Sequence, residues 1–402
     1  MTKYPPIAFT EIATLIRGVS YDKKVASLSA KDDYIPILRA NNIQKDLILN
    51  DLVYVPSDLV KEEQMIRKGD IVLAMSSGSK DLVGKSAQAN RDIDAAFGTF
   101  CGLIRAKEKV DSKFLGLYFQ TQEYRNFVSY QSKGVNICNL KKKDIESLQI
   151  PLPPLPTQHQ IVSRIESLFA ELDKAVEHLR TAQQQLKIYR QAVLNHWLNN
   201  EKGKWETVKL GEVAEVNTGS TPKRGIKDYW ENGNIPWITS GEVNNVCITK
   251  ATEYITEKAI KETNCKIIPK GSLVVAMYGE GKTRGKCAEL LIDAATNQAL
   301  ASITINSPKV YKPYVKWFFE RNYQKIRMLS SGGVQPNLNL SIIKNTTLCI
   351  PPLTEQQRIV KEIEMRLSQA EAAEARIAEA LQKTEALRQS ILKKAFSGEF
   401  DL

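Results

Sequence analysis

Residues 153–162 read PPLPTQHQIV, and residues 351–360 read PPLTEQQRIV. In each copy a proline pair comes just before a capping box, in which Thr157 or Thr354 is followed three residues later by a Gln. Proline disfavours helix in the residue before it, and a capping box begins a helix. The pattern therefore predicts the same junction twice, about 200 residues apart, at which a strand ends and a helix starts.

A long amphipathic helix is predicted after each junction. Apolar side chains recur there in alternating steps of four and three residues, which is the spacing of a helix that packs along one seam. Each segment runs for about 40 residues without Gly or Pro, too long for a small domain to cover, so we expect the two helices to pair. The predicted seam consists of Ile161, Ile165, Leu168, Leu172, Leu179, Leu186, Ile359, Ile363, Ile377, Leu387 and Ile391.

The sequence before each junction is duplicated as well. The short apolar runs 70–75 and 272–277 are typical of buried strands, and each is bracketed by Gly-containing turns. We therefore predict an α+β fold made of two tandem, pseudo-repeated α/β domains, each followed by its long helix. The predicted boundaries are residues 1–152 and 201–350 for the globular domains, and 153–200 and 351–402 for the helices.

The composition is that of a globular protein with an anionic partner. The 402 residues are 43% hydrophobic and include 56 Lys and Arg against 45 Asp and Glu, a formal net charge of +11. Six widely separated cysteines without a C-x-x-C pair predict reduced thiols and disfavour a disulfide framework or a zinc module. Without a long apolar run or a signal peptide, we expect a soluble cytoplasmic chain that has no membrane partner.

Two alternatives to a binding protein remain open. Residues 276–283, AMYGEGKT, match a phosphate-binding loop except at Ala276, which leaves a nucleotide-binding enzyme centred on Lys282 and Thr283. The counterpart loop, residues 74–80, lacks the G-K-[ST] ending, so a duplicated surface hairpin is the favoured interpretation. The other alternative is a coiled-coil scaffold that has no role on DNA. We predict neither a catalytic site nor a metal site, since the three histidines lie on the first long helix without ligand spacing.

Polar and basic residues cluster in corresponding loops of the two halves. Arg and Lys neutralise phosphates, and Asn, Gln, Ser and Thr bind base edges in the major groove, so these loops predict a surface for double-stranded DNA on each half. The candidates in the first half are Arg17, Lys23, Lys24, Arg39, Asn41, Asn42, Ser79, Lys80, Lys85, Lys133 and Asn136. Those in the second half are Ser220, Thr221, Lys223, Arg224, Thr239, Ser240, Tyr278, Lys282, Thr283, Arg284, Lys286, Ser331, Gln335 and Asn337.

The whole pattern resembles the specificity subunits of Type I restriction-modification systems. The resemblance is carried by the duplication, the repeated junction, the strand-loop segments 73–85 and 275–286, and the ending RQSILKKAFSGE at residues 388–399. The first helix echoes that ending as RQAVL, residues 190–194, and then departs from it at Asn195.

The resemblance implies a noncatalytic subunit. Each globular part would be a target recognition domain that reads one half of a bipartite, gapped DNA site, and the helices would form an antiparallel coiled coil that spaces the two domains. It also implies partners: two modification subunits, which carry S-adenosylmethionine and methylate adenine, and restriction subunits, which use ATP and Mg²⁺. No cofactor is expected on this chain itself.

Overall fold

A computed structural model describes residues 3–78, 82–131, 138–199, 205–279, 283–329 and 337–400. The chain divides into two compact units. The first unit combines Met1–Arg180 with Ala378–Leu402, and the second unit is Thr181–Ile377. In the described part of the chain, no helix has the length and apolar character needed to cross a membrane.

The first unit alternates short strands with short helices before its long helix. Its strands are β1 (Pro6–Ala8), β2 (Ala13–Arg17), β3 (Tyr34–Leu38), β4 (Val53–Pro56), β5 (Ile71–Ala74), β6 (Ser76–Ser77), β7 (Ser86–Gln88), β8 (Ala96–Phe97), β9 (Cys101–Ala106), β10 (Cys138–Asn139) and β11 (Gln149–Pro151). Its helices are α1 (Phe9–Ile12), α2 (Ser112–Tyr118), α3 (Gln122–Gln131), α4 (Lys142–Glu146) and the start of α5 (Leu155–Trp197).

The second unit repeats this order with small changes. Its strands are β12 (Glu206–Lys209), β13 (Ala214–Thr218), β14 (Ile235–Ile238), β15 (Cys247–Ile248), β16 (Glu253–Ile255), β17 (Leu273–Ala276), β18 (Cys287–Leu290), β19 (Ala295–Thr296), β20 (Leu300–Ile305) and β21 (Thr347–Ile350). Its helices are α6 (Leu210–Val213), α7 (Glu257–Glu262), α8 (Lys312–Met328), α9 (Leu340–Lys344) and the start of α10 (Leu353–Ser397).

The sheets of the two units have the same connectivity. The main sheet has the antiparallel order β2-β9-β5-β7 in the first unit, and β13-β20-β17-β18 in the second, where β15 adds a parallel edge strand. The register is also kept, since Arg17 lies opposite Gly102 and Thr218 lies opposite Ala301. A smaller sheet follows the order β4-β3-β8 and is repeated as β16-β14-β19. The predicted duplication therefore extends to individual residue pairs.

The two units differ in chemistry at one pair of aligned positions beside the main sheet. In the first unit Asp70 is buried and forms an ion pair with Arg105, whose Nη2 lies 2.7 Å from Oδ2. The hydrogen bond from Arg105 to Asp70 raises the pKa of the guanidinium, which stays charged. In the second unit, the aligned residues are Ser272 and Thr304, whose hydroxyl oxygens lie 2.9 Å apart. The same structural position thus holds an ion pair in one unit and a neutral hydroxyl pair in the other.

The repeated junction is held by a buried glutamine and not by the predicted capping box. Helices α5 and α10 begin at Leu155 and Leu353, so Thr157 and Thr354 lie inside the first turn and were wrongly predicted as N-caps. Each helix can start before its threonine because the N–H groups of the first turn have no intrahelical partner, so a proline there costs no hydrogen bond.

Gln158 and Gln356 are fully buried next to these helix starts. Gln158 Oε1 accepts from the Asp111 amide at 2.8 Å, and its Nε2 donates to the Pro153 carbonyl. Gln356 repeats this bridge with the Tyr311 amide and the carbonyl of Pro351, both at 2.8 Å. A buried amide with both ends satisfied fixes where each long helix leaves its domain.

The two long helices pack against each other in antiparallel directions, as predicted. In the second unit, Arg190 on α5 lies 3.4 Å from Glu371 of α10, whereas Trp197 packs against the earlier residue Arg358. In the first unit, Arg388 pairs with Asp173 of α5. Each helix is continuous, with 43 residues in α5 and 45 in α10, and each contributes to both units.

Most predicted seam residues are buried or half-buried, but Leu387 is not. Its side chain is 49% exposed, and Arg388 takes the seam position with a side chain only 15% exposed. A straight α-helix has 3.6 residues per turn and drifts by about 20° per heptad from a strict 3.5 repeat, so the 4-3 spacing fails after several turns. The buried seam residues are Ile161, Ile165, Ile359, Ile363 and Ile391, and the half-buried ones are Leu168, Leu172, Leu179, Leu186 and Ile377.

Candidate nucleic-acid interface

Two neighbouring hollows lie at the end of the main sheet in the first unit, where β2 and β5 end and β9 begins. The larger has a volume of about 720 Å³ and the smaller about 510 Å³. Ser76, Thr99, Phe100 and Cys101 line both of them. The strand ends thus place loop side chains from several parts of the chain around one recessed surface.

Four of the predicted DNA-binding residues meet at these hollows. Lys23, Arg39 and Asn41 line the larger one, and Arg17 lines the smaller one. Arg39 also donates to the Asp51 carbonyl at 2.8 Å, which holds its guanidinium in place. Lys24 is exposed in the same loop as Lys23. The sequence pattern therefore identified residues that the fold brings together from distant positions.

Asn42 was wrongly predicted to face a ligand. It is 1% exposed, and its Oδ1 accepts from the Arg39 amide while its Nδ2 donates to the carbonyls of Ile48 and Asn50. An amide that is buried and satisfied on both sides holds the loop instead of reading a base edge.

A close approach of two backbone segments fixes the start of the loop that follows β2 and of the loop that follows β13. Gly18 follows β2, and a Cβ there would lie 2.1 Å from the Gly98 carbonyl oxygen. Gly219 follows β13, and a Cβ there would lie 1.9 Å from the Thr296 carbonyl oxygen. Only glycine fits at these two positions, so the backbone path at the start of each loop is fixed. In the second unit this path positions Ser220 and Thr221.

We expect the Gly219→Ala change to destabilise the second unit by about 2 kcal/mol, because the backbone must move to relieve the overlap. The matched control is Gly225→Ala in the same loop, where a Cβ would meet nothing within 4 Å. Urea unfolding of both variants measures the difference. Equal stability of the two variants would show that the loop relaxes without cost.

The candidate residues of the second unit are held by hydrogen bonds and ring contacts. Arg224 donates to Glu253 and stacks on Trp230, with 4.0 Å between the guanidinium carbon and the ring centre. The hydrogen bond to Glu253 raises the pKa of Arg224, which therefore remains cationic. Thr221 donates to the side chain of Gln298. Tyr278 is 41% exposed and lies two residues after the end of β17.

Other candidates form contacts that recur in both units. Lys85 donates to Gln44 at 2.6 Å in the first unit, and Lys286 donates to Asn244 at 2.8 Å in the second. Thr239 donates to the Glu242 carboxylate both through its amide, at 2.6 Å, and through its hydroxyl, at 3.3 Å. Of the remaining described candidates, Ser220 and Lys223 lie in the loop of Thr221 and Arg224, and Ser240 follows Thr239. Thr283 and Arg284 lie between β17 and β18 with Lys286, and Asn337 lies just before α9. The candidates outside the described residues are Ser79, Lys80, Lys133, Asn136, Lys282, Ser331 and Gln335.

The strand before Lys282 leads into a hairpin. A phosphate-binding loop connects a strand to a helix, whereas β17 pairs antiparallel with β18. The first unit repeats this arrangement with β5 and β7. The topology therefore disfavours the nucleotide-binding alternative.

The site also lacks an activated nucleophile among its described thiols. Cys101 lines both hollows, but burial raises its pKa to about 12, so the thiol remains protonated at neutral pH. Within the described ranges, no group of His, Cys, Asp and Glu residues could hold a metal ion.

Sequence reasoning missed several residues that line these hollows. Lys141 and Lys142 line the smaller hollow, and the large apolar side chains of Leu28 and Phe100 line the larger one. A signal for Phe100 was available, since the aligned position in the second repeat is Ala299. A large aromatic residue at one copy of a duplicated loop marks a difference between the two sites.

Comparison with known proteins agrees with this geometry. The profile of the Type I restriction modification DNA specificity domain matches twice, over residues 3–179 and 202–382. The Type I restriction enzyme StySPI specificity subunit of Salmonella potsdam is 32% identical over 96% of this chain and 87% of its own length. The EcoKI specificity subunit of Escherichia coli (strain K12) is 33% identical over the same shares.

A solved structure has the same fold. It is described as the structural basis underlying complex assembly and conformational transition of the type I R-M system, and it covers 99% of this chain and 98% of its own. Its TM-score is 0.79 at 18% identity. With two matched domains, two long helices and relatives that are named specificity subunits, the chain belongs to the family of Type I restriction-modification specificity subunits, the noncatalytic DNA-recognition components of those enzymes.

Proposed function

We propose that each unit of this chain reads one half of a bipartite, gapped sequence in double-stranded DNA. The observation that carries the proposal is the repeated framework with different side chains at its loops. Gly18 and Gly219 start equivalent loops, and the Met75 and Met277 carbonyls accept equivalent amide hydrogen bonds at 2.8 and 3.0 Å. A constant framework with variable contacts is what two related readers of different sequences require.

The charge of the loops supports contact with a polyanion. The formal net charge is +11, and the loops of both units contribute cations, including Lys23 in the first and Arg224 in the second. Lys and Arg bind phosphates, which provides affinity, while polar side chains on the same loops contact base edges, which provides specificity.

The chemistry of the complex is proposed to lie on partner subunits. Two modification subunits would bind S-adenosylmethionine and methylate adenine, and restriction subunits would use ATP and Mg²⁺. This chain would recognise the DNA sequence and would need no cofactor of its own. It would act in the cytoplasm, where the DNA lies. The antiparallel pairing of α5 with α10 fits a spacer that joins the two readers.

A domain exchange tests the division of labour. Residues 1–152 are replaced by the aligned segment of another family member, the chain is expressed with its modification subunit, and methylated bases are mapped by sequencing. We expect one half of the gapped motif to change while the other half is retained. The reciprocal exchange of residues 201–350 is the matched control and should change only the other half. Alteration of both halves by either exchange would contradict one reader per half-site.

The alternative function, a coiled-coil scaffold that has no role on DNA, is tested with the same purified complex. The complex is titrated with labelled duplexes that contain or lack the mapped motif. We expect tighter binding to the duplex that contains it, whereas equal binding to both would favour a scaffold.

A further inference from the structure

Phe100 projects a large apolar ring from a fixed backbone position. It lies in the turn between β8 and β9, and its side chain is 67% exposed. Its carbonyl accepts hydrogen bonds from the amides of Met75 at 2.8 Å and Ser76 at 3.1 Å. The turn is therefore tied to the end of β5, which leaves only the ring free to contact a partner.

The second unit has the same backbone position without the ring. Ala74 lies opposite Cys101 in the first unit, and Ala276 lies opposite Leu300 in the second, which aligns Phe100 with Ala299. The Ala299 carbonyl accepts from the Met277 amide at 2.8 Å, as the Phe100 carbonyl does from Met75. Ala299 is only 8% exposed. The framework is constant, and the side chain that it presents differs.

The ring stands between two basic hollows. Phe100 lines both, with Lys23 and Arg39 in the larger and Arg17, Lys141 and Lys142 in the smaller. No described residue that lines these hollows is acidic, while Arg39 pairs with Asp51 at 3.3 Å and Lys142 with Glu146 at 3.4 Å, neither of which lines them. Leu28, which is 84% exposed, adds a second apolar side chain on the larger hollow. An apolar projection flanked by cations fits a DNA groove, where phosphates meet the cations and the ring reaches a base.

We propose that Phe100 is a specificity-determining residue whose ring contacts the 5-methyl group of a thymine in the half-site bound by the first unit. The inference rests on the proposed function and adds the base chemistry that this unit reads. On the major-groove edge of the base pairs, the thymine methyl is the group that an apolar side chain recognises. The second unit has only the Ala299 methyl at this position, so it reads its half-site without this contact.

The first experiment maps methylation by the full chain bound to its modification subunit. Wild type, Phe100→Ala and Phe100→Leu are compared, with Leu59→Ala as the control, since Leu59 is an exposed apolar residue of the same unit that lines neither hollow. We expect Phe100→Ala to lose the requirement for thymine at one position of one half-site. Phe100→Leu keeps an apolar contact and should retain the preference, and the other half-site should not change in any variant.

The second experiment removes the methyl group from the DNA. Each thymine of the mapped half-site is replaced in turn by uracil, and binding of the complex is measured by fluorescence anisotropy. We expect uracil at one position to weaken wild-type binding about fourfold, the factor that corresponds to burial of one methyl group, and to leave Phe100→Ala binding unchanged.

The outcomes separate the two proposals. A wild-type gapped motif that Phe100→Ala leaves intact at every position would overturn the role of Phe100 alone. Equal sensitivity of wild type and Phe100→Ala to every uracil would do the same. Methylation by the wild-type complex without any gapped motif would overturn the proposed function and, with it, the role of Phe100.

Discussion

Replacement of Asp70 by serine is expected to destabilise the first unit by about 3–4 kcal/mol. Asp70 is 2% exposed and accepts hydrogen bonds from Arg105 Nε at 2.9 Å and Nη2 at 2.7 Å, and from the Arg67 amide at 2.7 Å. Serine leaves the largely buried guanidinium without its counter-charge, and an uncompensated buried charge is costly. Hydrogen exchange of the amides in β5 and β9 measures the loss in this unit separately from the other.

The second unit provides a matched design for the control. Because Ser272 and Thr304 occupy the aligned positions, the double variant Asp70→Ser and Arg105→Thr installs the pair that the second unit already uses. We expect the double variant to recover most of the stability, so that its loss falls below the sum of the two single losses by more than about 2 kcal/mol. If the loss of stability in the double variant equals the sum of the two single losses, the broken ion pair is not the cause of the destabilisation by Asp70→Ser.

Replacement of Ile391 by aspartate is expected to destabilise the first unit by about 4 kcal/mol. Ile391 is 8% exposed and belongs to the core that α10 shares with Phe114 and Ile161. The change removes a buried apolar side chain and places a carboxylate in an apolar core. Thermal unfolding of the full chain, together with hydrogen exchange in α2, measures the effect.

Leu387 provides the control for the seam. It lies one turn before Ile391 on α10 and also belongs to the predicted seam, but it is 49% exposed. We expect Leu387→Asp to change stability by less than about 0.5 kcal/mol, as surface substitutions usually do. A large loss for Leu387→Asp would instead support the strict 4-3 spacing.

The architecture was predictable because it depends on repeated, local patterns. Proline pairs and unbroken helix formers predicted α5 and α10, and the apolar runs 70–75 and 272–277 predicted β5 and β17 to within two residues. The duplication was found by aligning the two halves, since the secondary-structure propensities of single segments do not reveal it. The break between α2 and α3 was not predicted; Thr121 lies there, and its hydroxyl accepts from the Tyr124 amide.

The roles of individual polar residues were harder to predict because they depend on contacts between distant parts of the chain. Asn42 was assigned to the surface from its residue type, but the loop that follows it turns back and buries it. Gln158 was placed in a helix start, and its bond to Asp111 requires the fold of the preceding domain. Arg105 was not singled out at all, since its partner Asp70 lies 35 residues earlier, just before β5.

The first unit has a core that is not contiguous in sequence. Leu392, Ala395 and Phe396 pack in that core, and the Phe396 ring lies 4.8 Å from the ring of Phe114. Residues 181–377, by contrast, form the second unit from one uninterrupted segment. During synthesis on the ribosome, the second unit can therefore close before the first, which must wait for residues that are translated only after the whole of the second unit. The part of the protein made first is then the last to be completed, and chaperones would meet it with an open apolar surface in the interval.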